Sequence, residues 1–319
     1  MSDQARFMGP MERALYLKTL GSFAPLGARE LAMLAQHARE RLFRRGSLLL
    51  RAGERVERFH ALVDGEVRAI DAGPVPGEPP DERMLGLVDW LAGSASAHDV
   101  VAVSDVLTLE FDTEVILDVF EDHFVLVLRQ IRYLARLALE ERRALASGTL
   151  LQPWTSPVSC PQRELDLVER LVLVRRSPPF HKSSLDALAE IARAMRELRP
   201  SAGELLWSQG EEATHLLVIV SGSVSCEHER GRFQCGPGYP LGNLEALALE
   251  PRWYSARAET DLVVLRVDTE HFLDILEDHF EMAMDFLAAM GSNLLQMRAE
   301  RGERAGAQLE EQGAIESTR

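Results

Sequence analysis

Nine histidines could ligate a metal, at positions 37, 60, 98, 123, 181, 215, 228, 271 and 279. No two are separated by a single residue, so the His-x-His pair that a strand needs to aim two imidazoles at one ion is missing. Cys160, Cys226 and Cys235 form no CxxC pair. An odd, sparse set reads as reduced thiols of a cytoplasmic protein that pack as small hydrophobes. No GxSxG nucleophile turn and no GxxxxGK[ST] phosphate loop occurs, and Lys18 and Lys182 are the only lysines. The chemistry-bearing residues therefore point away from an enzyme and from a metal cofactor.

Charge narrows the partners. Lys plus Arg number 35 and Asp plus Glu 50, for a formal net charge of −15 over 319 residues. That excess repels nucleic acid and anionic lipid unless a local basic face overcomes it. The run RERLFRR at 39–45 reads as a solvated edge between a helical stretch and the first strand. The N-terminal stretch lacks a signal-peptide core, and no apolar run is long enough to cross a bilayer. Neither nucleic acid nor membrane is expected as a partner. A hydrophobic fraction of 46% with 27% charged residues is that of a globular chain, and the length suggests two domains.

The elements that must position any site are organised by a repeat. DTEVILDVFEDHF at 112–124 returns as DTEHFLDILEDHF at 268–280, with nine of thirteen positions identical. At the same offset of 156 stand Gly86 and Gly242, and Ala102 and Ala258. Upstream the offset is 157, pairing Gly46 with Gly203, Gly53 with Gly210 and Gly65 with Gly222. The extra residue falls in the interval containing AGPVPGEPPDE, a surface-loop composition. Each copy runs from a helical stretch through short Gly-punctuated apolar runs to alternating strands, VVAVSDVLTLEF and ARAETDLVVLRV. Each ends in a helix opened by Asp112 or Asp268, whose carboxylate can cap it. The fold expected is mainly β with helical arms, an α+β chain of two tandem jelly rolls. The first domain spans 11–146, a Pro/Ser-rich linker 147–162, the second domain 163–300 and a flexible tail 301–319.

LWSQGEEATHLLVIVSG at 206–222, matched by LLRAGERVERFHALVDG at 49–65, combines apolar residues, Gly-Glu, an apolar run and Gly. With the helix that follows, both copies resemble the cyclic-nucleotide-binding domain, the β-roll of catabolite activators, protein kinase A regulatory subunits and cyclic-nucleotide-gated channels. The resemblance implies a phosphate-binding cassette: Gly-Glu, a short helix, then Arg and small residues. In such a cassette Gly admits close backbone approach, Arg forks onto a phosphate oxygen and Glu accepts from the ribose hydroxyl.

In the second copy the cassette is PLGNLEALALEPRWYSARA. Gly242 and Arg252 match, with Pro251 before the arginine; Asn243 stands in place of Glu, accepting without a charge. Leu244 opens the short helix, Trp253 and Tyr254 replace small residues, and Ser255 matches the small hydroxyl position. These seven residues, 242–244 and 252–255, are the implied ligand site; the alternative for Arg252 is an ion pair with Glu245 or Glu250. In the first copy Gly86 is kept, but Leu87 and Ser96 stand where Glu and Arg belong, so that copy is expected to have lost the nucleotide. The implied function is regulatory and non-enzymatic, with cAMP or cGMP sensed at most in the second domain and passed to an unidentified protein partner. A ligand-free scaffold of two degenerate rolls is the alternative. The 39 residues after the second EDHF read as continuing helix, which leaves no room for the DNA-binding domain of catabolite activators. Met282, Phe286, Met290, Leu294 and Met297 share one helical face that must be buried; it reads as packing against its own roll as a lid, with part of the stripe expected to pair two chains as a weak homodimer.

Overall fold

The computed structural model describes residues 8–70, 83–145, 150–151, 153–154 and 160–316. They fall into two compact units, 1–133 and 134–319. Each unit is built on two sheets, antiparallel except where the first two-residue strand of the second unit joins its sheet edge in parallel.

In the first unit, helices α1 (Pro10–Leu17) and α2 (Ala28–His37) precede the strands β1 (Arg39–Phe43), β2 (Leu48–Leu50), β3 (Arg58–Asp64), β4 (Val67–Ile70) and β5 (Met84–Leu85). The short helix α3 (Leu87–Leu91), β6 (Asp99–Ala102), β7 (Val106–Asp112), α4 (Thr113–Asp122) and α5 (Phe124–Leu145) follow. One sheet has the order β1-β7-β3-β5 and the other β2-β6-β4. Phe59, Phe111 and Trp90 stack between the strands and α3 and α4, with ring centroids 5.0–5.2 Å apart.

The second unit repeats this order. Strand β8 (Leu150–Leu151), α6 (Leu167–Arg175), a 3-10 turn (Pro178–Phe180) and α7 (Leu185–Ala194) lead into β9 (Arg196–Leu198), β10 (Leu205–Trp207) and β11 (His215–Ser221). Then come β12 (Val224–His228), β13 (Gly231–Cys235), β14 (Pro240–Leu241), α8 (Asn243–Ala248), β15 (Ser255–Ala258), β16 (Val263–Asp268), α9 (Thr269–Asp278) and α10 (Phe280–Glu316). The sheets run β14-β11-β16-β9 and β10-β15-β12-β13-β8. The β3–β7 ladder shifts register between Leu62 and Asp64, and the β11–β16 ladder between Ile219 and Ser221, which is the same place in the repeat. Gly65 and Gly222 follow these bulges at φ +92° and +90°, where a Cβ would overlap the carbonyl oxygens of Asp105 and Asp261.

Three expectations change. The compact units divide inside α5, between Tyr133 and Leu134, not in the 147–162 stretch. The last turns of α5 are tied into the second unit: Glu141 pairs with Arg301 at 3.0 Å and Arg143 with Glu250 at 2.7 Å. Leu150 and Leu151 of the expected linker pair in parallel with Gln234 and Cys235, and the Trp154 amide donates to the Pro237 carbonyl. Residues 147–149, 152 and 155–159 of that linker lie outside the described residues. Residues 301–316, expected as a flexible tail, continue α10, a segment rich in Glu, Arg, Ala and Gln, which favour helix. The apolar stripe of α10 is no open face: Met282, Phe286, Met290, Leu294 and Met297 are each at most 7% exposed. Phe286 stacks on Phe180 at 6.1 Å and meets Phe272 edge-on at 5.1 Å, so the stripe covers its own unit and offers no surface to a second copy. No helix among the described residues is long and apolar enough to cross a membrane.

Candidate functional site

The cassette residues of the second unit converge on one buried guanidinium. Gly242 is left-handed, at φ +75° and ψ 10°, and turns β14 into α8. The short helix is buried from Leu244 to Ala248 and ends at Leu249, itself at φ +58°. The chain then returns through Pro251 to Arg252, whose backbone is clamped on both sides. Its N–H donates to the Glu211 carbonyl at 2.8 Å and its carbonyl accepts from the Gly210 N–H at 2.8 Å.

The Arg252 side chain is 1% exposed. One guanidinium nitrogen donates to the Gly242 carbonyl at 2.7 Å and the other to the His215 carbonyl at 2.5 Å. The plane lies over the Trp207 ring, 4.2 Å from its centroid. Its Nε–H is buried without a partner. Glu245 makes no ion pair with Arg252, and Glu250 turns to Arg143 instead, so the alternative of an ion pair gives way to two backbone carbonyls. The buried Glu245 carboxyl has its pKa raised by desolvation, and burial lowers that of Arg252.

The remaining implied residues divide. Asn243 is half-buried at the first turn of α8, and Leu244 is buried in the core. Tyr254, 3% exposed, packs among Trp207, Phe233 and Trp253 at centroid distances of 5.0–5.8 Å. Trp253 stacks on Phe233 at 5.4 Å and meets His228 edge-on at 4.8 Å. Ser255 accepts through Oγ from the Gln209 N–H at 2.9 Å, so its hydroxyl fixes the turn before β11. Cys226 and Cys235 are free and buried in the same core, and burial pushes the Cys226 thiol up. Trp207, His215 and Glu245 complete the site; of these the sequence pointed only to Glu245, as an ion-pair partner for Arg252. His215 contributes a carbonyl, which no side-chain pattern announces. The unpaired polar atoms of the roll interior also include Trp207 Nε1, Ser225 Oγ, His228 Nε2 and Glu245 Oε1.

The first unit keeps the frame without the cation. Gly86 is left-handed at φ +79° before α3, and Leu87 is buried. The Ser96 N–H donates to Glu54 at 3.0 Å and its carbonyl accepts from Gly53 at 2.9 Å, the clamp seen at Arg252. Its hydroxyl donates to the His98 carbonyl at 2.9 Å.

Residues 197–279 match the family model described as the cyclic nucleotide-binding domain. A cyclic nucleotide-gated potassium channel of Mesorhizobium japonicum is 30% identical over 124 residues, 39% of this chain and 35% of that protein. Another from Rhizobium etli is 30% identical over 103 residues, 32% of this chain and 29% of that protein. The chain thus spans about a third of the length of these curated relatives. Among solved structures, the regulatory domain of Toxoplasma gondii PKA with cAMP aligns over 88% of this chain and 97% of its own, at 16% identity and a TM-score of 0.32. Over residues 197–279, then, the chain carries a cyclic nucleotide-binding domain.

Proposed function

We propose that the chain is a non-enzymatic regulatory protein of two tandem rolls, in which the second takes a cyclic nucleotide, cAMP or cGMP, and signals to a protein partner in the cytoplasm. The observation that carries this reading is the buried Nε–H of Arg252, a charge-assisted donor with no acceptor, next to Gly242. An unpaired buried donor is costly, and a phosphate oxygen supplies the missing acceptor. Two backbone carbonyls already orient the guanidinium, so little order is lost on binding. Asn243 would take the ribose and Trp253, half-buried, the base. Closure would act on α9 and α10, which follow the roll, through different affinities of the open and closed arrangements.

A second reading, the ligand-free scaffold, is favoured by Trp207 and Tyr254, each 3% exposed and in ring contact beside the guanidinium. Calorimetry with cAMP and cGMP separates the two. The sensing reading expects one nucleotide per chain and a quench of tryptophan emission. Asn243→Glu should tighten binding by about 1 kcal/mol, the step from a neutral to a charged hydrogen bond. Arg252→Lys should weaken it, with the circular dichroism spectrum of the wild type checking the fold. No heat with either nucleotide at millimolar concentration supports the scaffold instead.

A further inference from the structure

A cavity of about 500 Å³ opens in the first unit, within the range of small-molecule sites. Arg41, Arg51, Arg55 and Arg58 stand around it, with Glu54, Glu57 and Glu110. The repeat shows how unusual this is. At the positions of Arg51, Arg55 and Arg58 the second copy has Ser208, Glu212 and His215, and at the position of its Arg252 the first has Ser96. In the first copy the cations stand on β1, on the segment joining β2 and β3, and at the start of β3.

The floor has changed in concert. His60 and Glu110 of the lining replace Leu217 and Arg266, and the buried Thr108 beside His60 replaces Val264. His60 is 3% exposed, lies 3.3 Å through Nδ1 from the Thr108 hydroxyl, and meets Phe43 edge-on at 5.5 Å. Burial and the cations Arg41 and Arg58 lower its pKa to about 4, so at neutral pH it is an uncharged hydrogen-bonding group. Phe43, Leu50 and Val56 supply apolar wall. A polar pair in place of two aliphatic residues costs stability unless something uses it.

Three of the arginines are engaged. Arg41 pairs with Glu110 at 3.2 Å, Arg51 with Glu54 at 3.0 Å, and Arg58 stands 3.9 Å from Glu110 and from Asp112. Arg55 makes no ion pair among the described residues. Glu54, Glu110 and Asp112 take up the charges of Arg41, Arg51 and Arg58, so Arg55 is the cation left to meet a single anionic group.

We propose that this cavity binds a small organic monocarboxylate, its carboxylate forked by Arg55 and Arg58, its apolar body against Phe43, Leu50 and Val56, and a polar end at His60. The site is independent of the nucleotide reading of the second unit, because the residues involved all lie between β1 and β7.

Saturation-transfer NMR and calorimetry on the full chain test it with benzoate, phenylacetate and 4-methylvalerate. Phenylacetamide serves as the uncharged isostere, with inorganic phosphate and cAMP as competitors. At least one carboxylate should bind once per chain and remain bound in the presence of cAMP. Arg55→Gln should weaken it about tenfold, equivalent to about 1.4 kcal/mol. His60→Leu, which restores the residue of the second copy, should weaken it several-fold. Both variants should retain the wild-type circular dichroism spectrum. The proposal is overturned if none of the carboxylates binds at millimolar concentration, if phenylacetamide binds as well as phenylacetate, if Arg55→Gln changes nothing, or if cAMP or phosphate displaces the carboxylate. Displacement by cAMP would mark the cavity as a nucleotide site, whereas silence toward cAMP alone bears only on the second unit.

Discussion

Gly242 and Gly86 occupy the same place in the repeat and share the left-handed conformation, yet their surroundings differ. A Cβ on Gly242 would overlap Nη1 of Arg252 and approach its Cζ within 2.9 Å. On Gly86 it would meet the methyl ends of Val56 and Leu50 at 3.1 and 3.2 Å, which can rotate away. Gly242→Ala should therefore cost about 1–3 kcal/mol and displace the guanidinium. Gly86→Ala should cost about 1 kcal/mol from backbone strain alone. Urea unfolding of the two variants compares them directly, and equal costs would mean that Arg252 is not fixed in this position. His60 sets a pH dependence. Its folded pKa of about 4 lies below the ordinary value of 6.5, so between those limits the unfolded chain binds a proton that the native chain refuses. Stability is whole above pH 6.5, falls as pH drops toward 4, and loses on the order of 3 kcal/mol from this group. His60→Leu should flatten that limb in a series of denaturant titrations; an unchanged slope would show that the imidazole protonates freely in the native state.

The DTE helices show one motif used in two ways. Asp112 accepts from the Glu114 N–H at 3.2 Å and caps α4, as its position predicts. Asp268 makes no side-chain cap on α9; its carboxylate takes Arg266 at 2.9 Å, and Arg266 replaces the Glu110 of the first copy. A neighbouring strand residue thus decides which donor the aspartate finds. Asp112→Ala should cost about 1 kcal/mol, the usual value of a lost N-cap. Asp268→Ala removes an exposed ion pair and should cost less, between about 0 and 1 kcal/mol. Thermal melts of the two variants at low and high salt check this, because the Asp268 loss, that of an ion pair at 2.9 Å with no cap, should shrink more with salt than the Asp112 loss. The EDHF ends agree better: both helices stop at the histidine, at φ −139° and ψ 76° for His123 and φ −129° and ψ 74° for His279, before α5 and α10 begin. His279 also reaches Glu190 of α7 at 2.9 Å.

For the whole molecule, burial of the α10 stripe changes what a charge placed there would do. Phe286 lies between Phe180 and Phe272 of its own unit, so Phe286→Glu removes a core ring and buries a carboxylate. The expected loss is about 3–5 kcal/mol or more, seen as a lower urea midpoint. Sedimentation should detect no dimer that this substitution dissociates. A variant that stayed as stable as wild type while halving its mass would restore the dimer reading.

The internal repeat was legible in the chain itself, because identity at offsets of 156 and 157 needs no coordinates. DTE…EDHF, Gly65 with Gly222 and Gly86 with Gly242 mark the same turns and bulges in both units, since only certain residues tolerate those conformations. Gly242 and Arg252 were named together only through the resemblance, as parts of one cassette, and the bond between them was not legible. Neither was the partner of each charge. Arg252 takes two carbonyls brought in by β11 and the turn before α8, and every residue has a carbonyl. The arginines around the first cavity look in the sequence like a scattered basic surface, and three of them face glutamates and aspartates up to 69 residues away. Whether the α10 stripe met another chain or its own unit also lay beyond the pattern. Periodicity defines an apolar face, while the neighbour that covers it is set by how non-local elements pack.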